Sequence, residues 1–370
     1  MRLFHVSDTH LGYSAFARLD PNSGINQREV DFYDSFERFV DLSLKEMPDI
    51  ILHTGDLFDS VRPSNRAISF ALEQISKIAN SGIQFVAISG NHETPRLKET
   101  GNVFKILDHL SNCRFAYEGG LRRFVQDGIE ILCIPHSTEE IFHKCLSEAL
   151  ELKNEGSRIV MMHAGLVGLG VFRTDELNEL IMTPSELDQN ADYVALGHYH
   201  NFTEVIKNAC YSGSTERLSI VEANSEKGFI DIELDSGKRR FIPLPTRRMI
   251  DITPLELHGE NASTAKSAIL HELEAAEIDG AIVRMTVKSL PREAHRNLDM
   301  TIIRKMAQRA LHFELKIERE EEEQVLQSAS SRFGSLEEEF RGFLARSSLN
   351  EKDKKHLEKI ASEFFSEREE

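Results

Sequence analysis

The chain is short of positive charge: across its 370 residues, 44 Lys and Arg stand against 61 Asp and Glu, a net charge of −17. That balance excludes a broadly basic surface, so any hold on nucleic-acid phosphates has to come from cations concentrated locally. Thiols are scarce too. The four cysteines, at 113, 133, 145 and 210, lack the paired spacing of a zinc cage and read as reduced and mostly buried, which leaves out a disulfide scaffold. No run is long and apolar enough to span a bilayer, and the first residues enter a strand pattern rather than a basic-then-apolar leader. A cytoplasmic protein is expected.

What the chain does have is a set of short apolar runs, each closed by metal-ligating residue types. Leu3–Val6 leads to Asp8 and His10, Ile50–His53 to Asp56, Phe85–Ile88 to Asn91 and His92, Ile159–Met162 to His163, and Tyr193–Leu196 to His198 and His200. Runs of this kind predict strands buried on both faces, with the donors gathered along one edge of a sheet, where open α/β sheets bind ligands. Asp, Asn and His without Cys suit a divalent ion such as Mn²⁺, Fe²⁺ or Zn²⁺ in an oxygen and imidazole site. The number of donors points to two ions sharing a carboxylate. Ions roughly 3.5–4 Å apart clamp the attacking and leaving oxygens of an in-line displacement at phosphorus, which is phosphoester hydrolysis. His5, His53 and His136 lie outside these motifs and read as locally packed or hydrogen-bonded.

Asp8-Thr9-His10, Gly55-Asp56-Leu57-Phe58-Asp59, Gly90-Asn91-His92-Glu93, His163 and Gly197-His198-Tyr199-His200 resemble, in order and spacing, the motifs of the calcineurin-like metallophosphoesterases. His10-Leu11-Gly12-Tyr13, Arg62-Pro63-Ser64 and Tyr211-Ser212-Gly213-Ser214 narrow the resemblance to the DNA double-strand-break repair nucleases, through about residue 245. These are bacterial SbcD and its counterpart, the meiotic-recombination-eleven nuclease. The resemblance implies an α/β fold: a metallophosphoesterase β-sandwich flanked by helices, a small α/β capping domain and a C-terminal helix-loop-helix.

The same resemblance implies site roles. Asp8, His10, Asp56 and His200 would hold one metal and Asp56, Asn91, His163 and His198 the other, with Mn²⁺ the expected ion and Asp56 the bridge. His92 would stabilise the transition state or protonate the leaving oxygen. The implied activity is 3′–5′ exonuclease on double strands and endonuclease on single strands or hairpins, by metal-activated water attack. Asp59 stands where several archaeal members place a second catalytic His, and Glu93 where Asp is usual; a carboxylate at 59 orients a ligand or caps the following helix. Two other classes remain open: a small-molecule or cyclic-nucleotide phosphodiesterase, and a non-catalytic DNA-end tether. A protein phosphatase typically carries Asp-Arg-Gly after the second motif, and Asp59-Ser60-Val61 lacks it.

Candidate phosphate contacts are Arg18, Arg28, Arg62, Arg66, Arg96, Lys98, Arg122, Arg123 and Arg217. With a net charge of −17 around them, weak and salt-sensitive DNA binding is expected of the chain alone.

Along the chain, Arg28 to Met47 carries Phe32, Phe36, Phe39 and Val40 at helical spacing. A second helix after Ser64 has Ile68, Ala71, Leu72, Ile75 and Ile78 as its stripe, and a third, Asn102 to Leu110, has Val103, Phe104, Ile106, Leu107 and Leu110. These stripes either face the sheet or, as the resemblance implies, pair across a two-fold axis, making Ile68, Leu72, Val103, Phe104 and Leu107 a homodimer interface. Arg123 to Ile134 reads as a hairpin turning at Asp127-Gly128, and Gly228–Leu234 and Phe241–Leu244 as late strands.

Pro243-Leu244-Pro245 closes a nuclease domain of residues 1–246. Residues 247–318 read as a strand-helix-strand-helix-strand unit: strands Met249–Ile252, Ala281–Val287 and His312–Ile317, helices Ser263–Ala275, capped by Ser263, and Leu298–Leu311. This unit is either a DNA-contacting cap or a stabilising appendage. Residues 319–334 form a charged linker, and 335–370 two amphipathic helices with stripes Leu336, Phe340, Phe343, Leu344 and Leu357, Ile360, Phe364, Phe365. So short a pair cannot cover its own phenylalanines. The helices either fold back on the catalytic domain or, by the resemblance, dock on the coiled coil of an SMC-like ATPase of the SbcC or rad-fifty type.

Overall fold

A computed structural model of the chain describes residues 1–97, 100–153, 156–168, 179–319, 340, 344, 354–357 and 361. Met1–Glu318 make one unit and Arg319–Glu370 a second.

In chain order the first unit begins β1 (Arg2–Val6), α1 (Gln27–Glu46), β2 (Ile50–His53), α2 (Asn65–Ser81), β3 (Gln84–Ile88), α3 (Phe104–Leu107) and β4 (Cys113–Ala116). There follow the hairpin β5 (Arg122–Gln126) and β6 (Ile129–Ile134), then α4 (Glu139–Glu151), β7 (Ser157–His163), β8 (Gly165–Leu166), β9 (Ile181–Met182), β10 (Tyr193–Gly197), β11 (Thr203–Ile206) and β12 (Ala209–Tyr211). After these come β13 (Gly228–Glu233) and β14 (Lys238–Pro243). Two six-stranded sheets result, ordered β14-β13-β1-β2-β3-β4 and β11-β12-β10-β7-β6-β5.

The apolar runs explain the sandwich. β1, β2 and β3 are parallel neighbours in the first sheet, and β7 and β10 are parallel neighbours in the second. Their residues alternate between two cores. Leu3, Ile50, Leu52, Val86 and Ile88 meet Ile131, Ile159, Met161 and Ala195 between the sheets, while Val6, Ile51, Phe85 and Ala87 turn outward onto α1 and α2. Phe36 and Phe39 of α1 are fully buried there, and each contributes roughly 1.5–3 kcal/mol of transfer free energy. The second sheet's outer face carries α4 through Phe142, Cys145 and Leu146. The ligand-bearing runs therefore lie on two facing sheets, not along one sheet's edge as the sequence reading has it. Period-two burial says which face a residue takes but not which sheet a strand joins.

Local signals hold at several ends. Asn26 caps α1 by accepting from the Arg28 amide, and Ser64 caps α2 by accepting from Ala67. Asp127 and Gly128, with φ of 49° and 82°, turn the hairpin. The four cysteines are buried and free. Among the described residues no helix is long and apolar enough to cross a membrane.

The third apolar stripe needs correction. The helix is only Phe104–Leu107, and Phe104 and Leu107 are fully buried, with Val103 8% exposed. All three pack in the α1/α2 core beside Phe115, so they have no surface to offer a second copy. Of the proposed dimer residues, Ile68 is half-buried and Leu72 exposed.

Beyond Pro245, β15 (Met249–Glu256), α5 (Ala262–Ala275), β16 (Ile282–Leu290), α6 (Arg292–Arg296), α7 (Met300–Ala307) and β17 (His312–Arg319) form a three-stranded sheet in the order β15-β16-β17. This region has its own core, with Ile269, Leu273, Val283, Met285 and Ile303 buried together. Asn261, not Ser263, caps α5, accepting from the amides of Ser263 and Thr264. The single long helix expected over 298–311 is instead the short α7, preceded by α6.

In the second unit Phe340 is half-buried, Leu344 buried and Leu357 exposed. Leu336, Phe343, Ile360, Phe364 and Phe365, and the linker from residue 320 to 334, lie outside the described residues.

Candidate metal centre

The C-terminal ends of β1, β2, β3, β7 and β10 all reach the same edge of the sandwich, and the seven predicted donors meet there. Asp8, His10 and His200 form one cluster and Asp8, Asp56 and His163 another, with ligating atoms of each lying within 4.8 Å of one another. Asn91 Oδ1 lies 2.9 Å from His163 Nε2 and 3.2 Å from His198 Nδ1, which ties the last two donors in. His10 Nε2 and His163 Nε2 sit 3.9 and 3.3 Å from Asp56 Oδ2.

The backbone is bent to achieve this. Asp8, His10, Asp56 and His198 have φ of 52°, 41°, 53° and 98°. Residues with a Cβ avoid this left-handed region, and such outliers persist where surrounding structure over-determines them. Glycines clear the space. A Cβ on Gly90 would sit 2.1 Å from Asp56 Oδ1, one on Gly55 2.3 Å from His163 Nδ1, and one on Gly197 1.9 Å from the Thr54 carbonyl.

The site passes three tests of fit for divalent cations. Both ring nitrogens of the buried His10 make no hydrogen bond, Nδ1 having only the Asp59 carboxylate 3.3 Å away and out of hydrogen-bond geometry. The donors are oxygens and imidazoles with no thiol among them. Each proposed imidazole ligand also turns its other nitrogen to an oxygen. These pairs are His10 Nδ1 to Asp59 Oδ1 at 3.3 Å, His163 Nδ1 to Thr54 O at 2.8 Å, His198 Nε2 to Glu179 Oε1 at 3.3 Å and His200 Nδ1 to Glu222 Oε1 at 3.2 Å. Such outer partners fix the tautomer and ring plane of metal-binding histidines.

The charges of the cluster act on one another. Burial pushes the Asp56 carboxyl up, but His163, followed by His92 and His10, outweighs it and holds the group well below the carboxylate range. Burial pushes His163 down, and Asp56 overrides it, raising the imidazole to about 10 in the metal-free chain. Glu93 is fully buried and, through burial and then the Asp56 charge, is held well above the usual range. Its Oε1 accepts from the amides of Gly90 and Leu57, so it stitches together the loops after β2 and β3.

His92 is half-buried beside this cluster, its ring 4.7 Å from that of His10. Its Nδ1–H donates to the Asp59 carbonyl at 3.0 Å, which makes Nε2 the nitrogen that gains and loses a proton. Asp59 thus touches both His10 and His92, while Ser64 caps the following helix. His5 bonds Tyr193 and Thr54, and His53 bonds Thr9; both are fully buried and lowered, chiefly by burial, to about 3 and about 4. His136 is buried as well.

From His92 an open groove of about 1530 Å³ runs past Arg62, Arg96, Lys105, Glu139 and Glu179. Arg62 and Arg96 line it, and Arg18 is exposed elsewhere on the surface. Arg66, Arg122 and Arg123 are exposed but paired with Glu29, Glu118 and Glu130. Arg28 and Arg217 are corrections. Arg28 is buried against Asp31, and Arg217 spends its donors on the carbonyls of Glu222, Ser225 and Arg247 and on Thr246. Neither presents its guanidinium to a phosphate. Lys98 lies outside the described residues.

Sequence reasoning missed Glu179, Glu222 and Lys227. Glu179 and Lys227 lie in loops and Glu222 ends a 3-10 turn, Ile220–Glu222, none of them beside a ligand strand or within a motif, so the sequence carries no local signal for them.

A sandwich that gathers oxygen and imidazole donors where strands of both sheets end defines a metallophosphoesterase. The family model for calcineurin-like phosphoesterases matches residues 1–202, over half the chain, and the chain belongs to that family. Among curated relatives, "DNA double-strand break repair protein Mre11" of Saccharolobus solfataricus is 31% identical over 54% of this chain and 49% of its own length. The proteins of that name in Thermoplasma acidophilum and Methanocaldococcus jannaschii are 30% and 31% identical, over 63% and 58% of this chain and 62% and 57% of their own. The match thus spans about half to three fifths of these relatives.

Proposed function

We propose that the chain is a two-metal DNA nuclease, the catalytic subunit of a double-strand-break repair assembly. The observation that carries this reading is the convergence of all seven donors beside His92, at the head of a groove larger than the roughly 300–1,000 Å³ of a small-molecule pocket. The names of the relatives supply the substrate class. Two divalent ions, Mn²⁺ by preference, would supply Lewis-acid polarisation of the phosphodiester and an activated water.

The chain's residues do the rest. Asp8, His10, Asp56 and His200 would hold one ion, and Asp56, Asn91, His163 and His198 the other, with Asp56 the carboxylate common to both sets. The Asp59 carbonyl orients His92 so that Nε2 can deliver a proton to the leaving oxygen. Arg62 and Arg96 neutralise backbone phosphates along the groove.

The finer reading is a cytoplasmic 3′–5′ double-strand exonuclease and single-strand or hairpin endonuclease. Its nuclease domain is 1–246, with a capping domain at 247–318, a linker at 319–334 and a helix-loop-helix at 335–370 that docks an SMC-like ATPase. Homodimer contact would fall on Ile68 and Leu72. Incubating end-labelled duplex and hairpin DNA with Mn²⁺, Mg²⁺ or EDTA tests the function, with bis-p-nitrophenyl phosphate as a small control ester. Mn²⁺-dependent shortening from the 3′ end is expected. Turnover of the small ester with DNA untouched, in the presence of the ATPase as well as without it, would overturn the nuclease reading in favour of a small-substrate phosphodiesterase.

A further inference from the structure

His200 is gripped at both ends by one buried ion pair. Glu222 Oε1 faces its Nδ1 at 3.2 Å, and Lys227 Nζ donates to its backbone carbonyl at 2.7 Å. Glu222 Oε2 and Lys227 Nζ meet at 2.7 Å, with side-chain exposures of 9% and 0%. The carboxylate is held from behind as well. Its Oε2 accepts from the Leu218 amide at 3.1 Å, and Arg217 Nε donates to the Glu222 carbonyl at 3.1 Å. Taking two charges out of water costs more than an isolated pair usually returns, so stability alone is a poor account of this arrangement.

We propose that Glu222 is the positioning residue for His200. By accepting a hydrogen bond from Nδ1–H it leaves Nε2 as the nitrogen turned to a divalent cation beside Asp8 and His10. Lys227 is the counter-charge that holds the Glu222 carboxylate in place, and its bond to the His200 carbonyl fixes where the ring starts. No apolar substitute performs both tasks, because the ring needs an acceptor at one fixed point. This inference rests on His200 being a metal ligand.

The test titrates Mn²⁺ into the full chain, followed by electron paramagnetic resonance, for wild type, Glu222→Ala, His200→Ala and the double variants E222Q/K227M and E222A/K227M. Circular dichroism establishes that each is folded. Glu222→Ala should weaken Mn²⁺ binding about 10–100-fold, the usual cost of losing an outer partner of a ligand histidine. E222Q/K227M keeps an acceptor oxygen for Nδ1–H without stranding the ammonium, so it should bind near the wild-type level, while E222A/K227M stays weak. Nitrogen NMR of the Zn²⁺-loaded protein should show His200 protonated at Nδ1 in wild type and in E222Q/K227M, with that proton signal lost or shifted in E222A/K227M.

Two results overturn the proposal and are distinguishable. If His200→Ala binds Mn²⁺ as wild type does, the ligand reading fails and the clamp with it. If His200→Ala weakens binding while the two double variants bind alike, His200 is a ligand but Glu222 does not position it.

Discussion

The two sheets contribute different chemistry to one site. The first sheet supplies Asp8, His10, Asp56, Asn91 and His92, so it carries both carboxylates among the proposed ligands. The second supplies only imidazoles, His163, His198 and His200. The halves are also held differently. Asp56 Oδ1 accepts from the His92 amide at 3.0 Å, and Glu93 ties the loops after β2 and β3 through two further amides. The second sheet's imidazoles are instead oriented by oxygens arriving from elsewhere: Thr54, Glu179 and Glu222. Asp8 is held across the seam, its carboxylate oxygens accepting from the His198 amide at 3.2 Å, so backbone amides of both sheets place the negative charge, whereas the imidazoles are each aimed by a single oxygen, of which Thr54 O comes from the facing sheet.

The sharpest way to break that comparison is to remove the first sheet's shared charge. Asp56→Ala should cost several kcal/mol of transition-state stabilisation, about 10³-fold in turnover of bis-p-nitrophenyl phosphate. A fall of less than tenfold would mean that the imidazole half suffices. Next comes His92→Gln, which should lower DNA cleavage about 10²-fold, a proton-transfer effect, with Mn²⁺ affinity unchanged. Weakened metal binding in this variant would instead make His92 a ligand.

Gly197→Ala probes the seam between the sheets, because its Cβ would fall 1.9 Å from Thr54 O and 2.4 Å from Ser7 Oγ. Overpacking of about 1–3 kcal/mol should lower the thermal midpoint and weaken Mn²⁺ binding together. An unchanged midpoint would show that the seam is slack.

The smallest effect is a proton count. His163, raised to about 10 by Asp56 in the metal-free chain, carries its proton at pH 8 and loses it only as pH rises through that value. Metal uptake at pH 8 should therefore release about one proton per chain, seen as a dependence of calorimetric heat on buffer ionisation enthalpy. Uptake with no such dependence would contradict the pairing of His163 with Asp56.

Legibility in the sequence follows the same division. Asp8, Asp56 and Asn91 could be read because strand end, turn and ligand lie within a few residues, and a buried run followed by a polar donor is a local pattern. The two-sheet arrangement could not, since Ile50 and Ile159 have the same apolar character and nothing local says that they face each other across a core. Phe104 and Leu107 were misjudged for a related reason: an apolar stripe wide enough for two contacts looks identical whether a second chain or Phe115 fills it. Glu222 and Lys227 were invisible because their meaning lies in a distance to His200, not in any spacing along the chain.

The most direct test is a crystal structure of the Mn²⁺-loaded chain with data collected at the manganese absorption edge. The account predicts two anomalous peaks at the sandwich edge, both within bonding distance of Asp56, one adjoining His10 and His200 and the other His163 and His198. Peaks bound by residues of one sheet alone, or none at this edge, would contradict the claim that the two sheets build a single metal centre.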